Sequence, residues 1–262
     1  MTPADGLEAR ITAALARFSP KQKQLARFML DNQYLVSFAS ASQVGEKVGA
    51  TELQADIREE LPTYLTAVER IEKSLAAPPS PDNIPQQVFH TDIKNIERAA
   101  NSLSMPQIEA AVDEIVQASR ILVVGCGLSA APALFLTHSL KVIGFNVHLE
   151  TDAGISLAAD IAQLDPDALL IAIDLWRYVR STMEAVHAAQ RRGTPVIAIT
   201  DTIVSPLAQA ADYAFEVATD GVAHSLSPTA VISLLNVFIA ALSYRVPEQV
   251  MESLRQVDAA YR

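Results

Sequence analysis

The sequence predicts an α/β protein, in which a small all-helical unit precedes a larger domain built on a mostly parallel five-stranded sheet. Three observations carry this. After residue 105, five short apolar runs rich in β-branched residues alternate with helix-like segments; before residue 77, apolar residues recur at helical spacing; and a cluster of prolines separates the two regions. Strands that alternate with helices form a parallel sheet covered on both faces, because each crossover lays a helix on the sheet.

In the first region Leu7, Ile11, Leu15 and Phe18 share one helical face. Ser19-Pro20-Lys21-Gln22 then supplies an N-cap, a proline at the first helical position and a capping-box glutamine, so a second helix with Leu25, Phe28 and Met29 inside should follow. Ser40-Ala41-Ser42-Gln43 repeats the pattern ahead of Val44 and Val48, and Gly49 supplies a stop. The prolines between residues 76 and 85 disfavour regular helix and predict an extended connection. The expected domains are therefore a helical unit over 1–77, a linker and connecting helix over 78–104, and the sheet domain over 105–262.

Helices are predicted near residues 88–103 and 106–118, and strands at 121–124, 147–149, 168–173, 196–200 and 213–217. A last long helix over 225–244 carries Val231, Leu234, Leu235, Phe238 and Leu242 at helical spacing, as expected of a core or interface helix.

Composition narrows the function classes. Half of the 262 residues are apolar and 19% are charged, enough for a packed core. No apolar run reaches the roughly 20 residues of a membrane span, and Asp5, Glu8 and Arg10 do not suit a signal peptide, so a soluble, cytoplasmic protein without membrane contact is expected. The single cysteine, Cys126, excludes an internal disulfide framework and a cysteine-built zinc site, and reads best as a small residue filling a tight turn. No His, Asp or Glu cluster has ligand spacing, so neither a metal nor a cofactor is expected. A net charge of −10 argues against a generally basic nucleic-acid binder. Over residues 1–77, however, 9 Lys and Arg face 10 Asp and Glu, so the acidity belongs mostly to the remainder.

The strongest functional signal is the run 121–129. A buried strand enters Gly125-Cys126-Gly127-Leu128-Ser129 and a helix follows, a geometry that aims backbone N–H groups and a helix's positive end at an anion, with Ser129 adding a hydroxyl. Ala130 stands where a dinucleotide fingerprint needs its third glycine, and no Gly-Lys-Ser/Thr follows, which excludes an ATP-binding loop at this place. After the third strand, Asp174-Leu175-Trp176-Arg177-Tyr178-Val179-Arg180-Ser181-Thr182 sets two arginines and two hydroxyls at a strand's carboxyl end, the edge where open α/β sheets bind ligands. Ser181 and Thr182 are candidates for phosphate hydrogen bonds at the next helix start, with Arg177 and Arg180 as sources of charge. Trp176 suits either stacking on a sugar or packing under the loop.

With these segments in view, the chain resembles the RpiR family of bacterial transcriptional regulators, which join an N-terminal helix-turn-helix to a C-terminal sugar isomerase (SIS) domain. The resemblance rests on Ser19-Pro20-Lys21-Gln22-Lys23, on the stretch from Asn146 to Gly154, on the loop from Arg177 to Thr182, and on Ser227-Pro228. It implies a three-layer SIS domain that binds a phosphorylated sugar or sugar acid and thereby controls operator binding. The apolar helix over 225–244 and the two-fold symmetry of operators lead to the expectation of a homodimer or higher homo-oligomer. Gly125, Gly127, Ser129, Ser181 and Thr182 would hold the phosphate, with Arg177, Arg180 and His224 near the ligand. Lys21, Lys23, Arg27 and Lys47 would contact DNA phosphates. Asp174 departs from the resemblance, since relatives have a small or hydroxyl residue there.

A larger departure lies between Ala50 and Thr51, where the turn, recognition helix and loop of a helix-turn-helix, roughly twenty residues, are missing. Glu52, Asp56, Glu59 and Glu60 cannot substitute, because carboxylates are repelled by DNA phosphates. Either the reading head has been lost or a segment is absent from the sequence, and the intact flanks favour the second.

Two other classes compete with a regulator: an aldose–ketose isomerase, and a sugar-phosphate-binding module without DNA binding. An isomerase needs a general base. Glu150, Asp152, Glu184, His138, His148 and His224 are the candidates, and none lies in a recognisable catalytic motif. His138 and His148 read as satisfied structural histidines, so no catalytic residue is assigned and no enzyme is expected.

Overall fold

A computed structural model describes residue 23, residues 26–28, residue 30, and residues 66–76, 80–176 and 178–261. The chain divides into two compact units, residues 1–66 and residues 67–262. Of the first, residues 23, 26–28 and 30 are helical.

The second unit opens with helix α1 (Ala67–Ala76), followed by a single 3-10 turn (Pro81–Asn83), α2 (Ile84–Ser102) and α3 (Met105–Gln117). The expected extended connection up to residue 85 is corrected here. Pro85 sits in the first turn of α2, where a proline forfeits no helical hydrogen bond, so the helix begins at Ile84. Five strands joined by four helices follow: β1 (Arg120–Val124), α4 (Ala130–Val142), β2 (Val147–Glu150), α5 (Ile155–Ala162), β3 (Ala168–Asp174), α6 (Arg180–Arg192), β4 (Val196–Thr200), α7 (Pro206–Ala210) and β5 (Tyr213–Glu216). The chain ends with α8 (Thr229–Arg245) and α9 (Pro247–Tyr261).

All strands are parallel, in the order β2-β1-β3-β4-β5. Alternation along each strand builds two cores. Ile121, Val123, Ile171, Ile173, Ile197 and Ile199 face α3, α4 and α8, where Phe215 meets Phe238 edge-on at 5.0 Å. Leu122, Val124, Leu170, Ala172 and Ala198 face α5, α6 and α7 through Leu157, Val186 and Leu207. All seven residues of β3 are buried. That continuous apolar run is the mark of a strand covered on both faces.

The last two helices differ from expectation. Residues 225–228 are not helical, and α8 starts at Thr229 behind Pro228, with the Ser227 and Thr229 hydroxyls both donating to Asp92 of α2. Of the two expected roles, core or interface, Val231, Leu234, Leu235, Phe238 and Leu242 take the first, all being buried in this unit's own core. Helix α9 was not foreseen. It turns 105° from α8 and buries only Val250, although Leu254 and Val257 continue the same apolar stripe.

Candidate functional site

The register aligns the carboxyl ends of the strands, so the segments leaving β1, β3 and β4 stand side by side. Between β1 and β3 the order of the chain reverses, β2 lying to one side and β3 to β5 to the other. Such a switch point opens a crevice where α/β sheets take ligands.

On the β1 side, the turn packs too tightly for any side chain at Gly125. A Cβ there would stand 2.7 Å from the Ser129 carbonyl oxygen and 2.8 Å from the Ala133 Cβ. Gly127 holds φ at +60°, the left-handed region that glycine adopts without strain. A 3-10 turn (Gly127–Ser129) then leads into α4. Ser129 is buried, and its Oγ accepts the Leu175 N–H at 3.2 Å, which stitches the β1 turn to the loop after β3.

Two carboxyls hold that loop from below. Asp174, the last residue of β3, accepts the Val179 N–H on Oδ2 at 2.7 Å, just ahead of α6. Asp201, which follows β4, accepts the Tyr178 hydroxyl on Oδ1 at 2.7 Å and the Trp176 N–H on Oδ2 at 3.3 Å. Trp176 packs on the core and meets Tyr178 edge-on at 5.7 Å, so it lies under the loop. Burial pushes the Asp174 carboxyl up to about 7, against the lowering pull of the Val179 N–H. Burial raises Asp201 too, partly offset by the Tyr178 hydroxyl.

Helix α6 starts against the β1 turn, with the Ser181 Oγ 3.8 Å from the Cys126 Sγ. Thr182 is fully buried, and neither its Oγ1 nor the Asp174 Oδ1 has a hydrogen-bond partner. The two groups are near enough for Thr182 to favour the ionised carboxyl, yet lack hydrogen-bond geometry. Buried polar atoms are nearly always paired, so two orphans at one crevice mark a place for a ligand or water.

Gly125, Gly127, Ser129, Ser181 and Thr182 are thus brought together. Arg180 is exposed and pairs with Glu184 at 2.8 Å, along the outside of α6. Arg177 lies outside the described residues. His224 is exposed in the loop between β5 and α8. Of the DNA-contact candidates, Lys23 is half-buried and Arg27 exposed, both in helical residues, while Lys21 and Lys47 lie outside the described residues, as does the junction at residues 50 and 51. His138 and His148 are exposed, which corrects their reading as satisfied structural histidines. Asp201 and Tyr178 were missed by sequence reasoning. Asp201 was findable, since it follows the fourth strand at the ligand edge, but its grip on Trp176 and Tyr178 is a tertiary fact.

A second set of polar contacts pins the loop over residues 219–229. The Asn95 Nδ2 donates to the Asp220 carbonyl at 2.8 Å, Arg98 pairs with the Asp220 carboxylate at 2.7 Å, and the Ser74 Oγ donates to the Val222 carbonyl at 2.9 Å. At the opposite, amino edge of the sheet, an open depression of about 310 Å³ runs past Glu114, Thr194 and Tyr213. It has no crevice between diverging strands behind it. Among the described residues no three His, Cys, Asp or Glu side chains are grouped to hold a metal ion, and no single helix is long and apolar enough to cross a membrane.

Residues 114–242 match the family model of the SIS domain. The sugar isomerase domain of an RpiR transcription factor from Sphaerobacter thermophilus is 42% identical, with a TM-score of 0.66, over 68% of this chain and 99% of that one. The chain belongs to the RpiR family of SIS-domain transcriptional regulators. An uncharacterised helix-turn-helix regulator of Thermotoga maritima is 25% identical over 93% of this chain and 95% of its own length. The Vibrio vulnificus NanR protein, solved with ManNAc-6P, shares the fold at 18% identity and a TM-score of 0.65, with 97% of each chain covered.

Proposed function

We propose that this RpiR-family regulator binds a phosphorylated sugar or sugar acid at the β1–β3 crevice and operator DNA through residues 1–77. The carrying observation is the pair of helix starts at neighbouring strand ends, with Ser181 and the unpartnered Thr182 hydroxyl between them. Helix N-termini present unpaired N–H groups and positive potential to an anion. The phosphate then docks between residues 125–129 and the start of α6, with Arg177 as neighbouring charge, Arg180 reaching it only on leaving Glu184, and His224 at the ligand's far end. The ManNAc-6P bound by NanR supports this ligand class.

A thermal-shift screen of sugar phosphates tests the reading. A ligand at a hundredfold excess over its Kd stabilises the folded state by about 2.7 kcal/mol. Ser181→Ala with Thr182→Val should abolish the shift while leaving the fold intact, and a hit that survives both changes places the phosphate elsewhere. Ser129→Ala is the poorer probe, because it also strips Leu175 of its acceptor.

For DNA, Lys21, Lys23, Arg27 and Lys47 supply phosphate contacts and base reading needs the recognition segment. The Thermotoga alignment spans 267 positions, more than this chain's 262 residues, while using 93% of it. The relative therefore has residues that this chain lacks, which supports a missing segment. The 262-residue chain should bind DNA weakly and without sequence preference, and equal preference for its own upstream region by this chain and by a version with the segment restored would refute that. An isomerase is the second reading, favoured by a buried carboxyl near pH 7 at the crevice. Turnover of an aldose phosphate, lost in Asp174→Asn, would establish it.

A further inference from the structure

We infer that binding of a dianion in the β1–β3 crevice is coupled to uptake of one proton by Asp174. This rests on the crevice reading above and adds its regulation. The observation is an internal competitor: a buried carboxyl behind the start of α6 already takes the Val179 N–H, and its second oxygen is unpartnered beside the Thr182 hydroxyl. A phosphate at that helix start brings more negative charge to a carboxyl that solvent cannot screen, since Asp174 is 1% exposed.

The surroundings offer no compensation among the described residues. β4 and its end contribute Thr200, opposite Asp174 in register, and the Asp201 carboxyl, whose charge pushes Asp174 further up. The loop contributes the Tyr178 phenol, already donated to Asp201. Helix α6 contributes Thr182, and its Arg180 is drawn outward by Glu184. The β1 turn contributes the Cys126 thiol, 3.8 Å from Ser181. No ion pair of a Lys, Arg or His with Asp174 or Asp201 exists among the described residues. The carboxyl therefore titrates near neutrality in the free protein and is driven to its neutral form when a dianion arrives. Protonated, it keeps one oxygen for Val179 and gains a hydroxyl that donates to the ligand or to Thr182.

Sulfate is the probe, because it stays dianionic across the range and contributes no titration of its own. At constant ionic strength, with chloride as control, sulfate affinity of the full chain should fall by about tenfold per pH unit above pH 7. Calorimetry in buffers of different ionisation heat should count close to one proton taken up per sulfate. Asp174→Asn should bind at pH 8 as tightly as the parent does at pH 6, with a flat profile, while Asp201→Asn keeps the slope. Sulfate binding without pH dependence or proton uptake overturns the coupling but leaves the crevice site standing, and a slope lost in Asp201→Asn instead overturns the assignment to Asp174. If neither sulfate nor any sugar phosphate shifts the parent or the Asp174→Asn variant at any pH, the crevice reading falls and the coupling with it.

Discussion

Asp174 ties stability to pH in the opposite sense to a salt-bridged carboxylate. Its carboxyl titrates near 3.8 when unfolded and at about 7 when folded, so the native state holds the extra proton between those values. Stability from this group is therefore greatest below pH 4 and is lost as pH rises to 7, by on the order of 4 kcal/mol. Asp174→Asn should remove that loss, and urea unfolding at pH 5 and pH 8 should show the parent weakening with pH more than the variant does. Gly125→Ala should cost about 1–3 kcal/mol, because its methyl would strike the Ser129 carbonyl and Ala133; the urea midpoint reads the change. The sequence marks Gly125 through its strand–turn–helix setting, and it marks Ser181 and Thr182 by their place after a strand. It does not show that Ser129 spends its oxygen on Leu175, or that Asp174 reaches forward to Val179. Those bonds depend on where neighbouring loops lie, which no local pattern encodes.

At the scale of elements, the three central strands β1, β3 and β4 are legible because both their faces are buried, so each reads as a nearly unbroken apolar run between turn signals. Boundaries fail where polar tertiary contacts set them. Asp92 receives two hydroxyls from Ser227 and Thr229 and so fixes both the end of the preceding loop and the start of α8. Asp92→Ala should cost about 1.5–3 kcal/mol, the usual worth of hydrogen bonds to a charged group. Hydrogen exchange should then rise over residues 219–229 while the strands stay protected. Helix α9 is the other kind of case: Val250, Leu254 and Val257 recur at helical spacing, a legible stripe of which the subunit buries only Val250.

For the whole molecule, a homodimer, if formed, has to use surfaces other than the buried face of α8. The apolar residues of α8 are spent inside the subunit, while Ile84, Val88, Phe89 and Ile93 of α2 remain exposed, Phe89 by 69%. A homodimer of this regulator should therefore depend on α2, and Phe89→Glu should shift light scattering at micromolar concentration from dimer towards monomer; a monomeric parent refutes the dimer. The strand order has a consequence for how the molecule comes into being on the ribosome. β1 pairs with β2 and β3, and then β4 and β5 are added to one side in the order of synthesis. No strand has to wait for a later one to separate its neighbours. Parallel pairing across helical crossovers is slow, and incomplete sheets aggregate through their bare edges. From β3 onward each new strand covers the edge left by the last, so the growing sheet advances on one side while the outer edge of β2 stays open, and pulse-labelling should find β1 and β3 protected before β5.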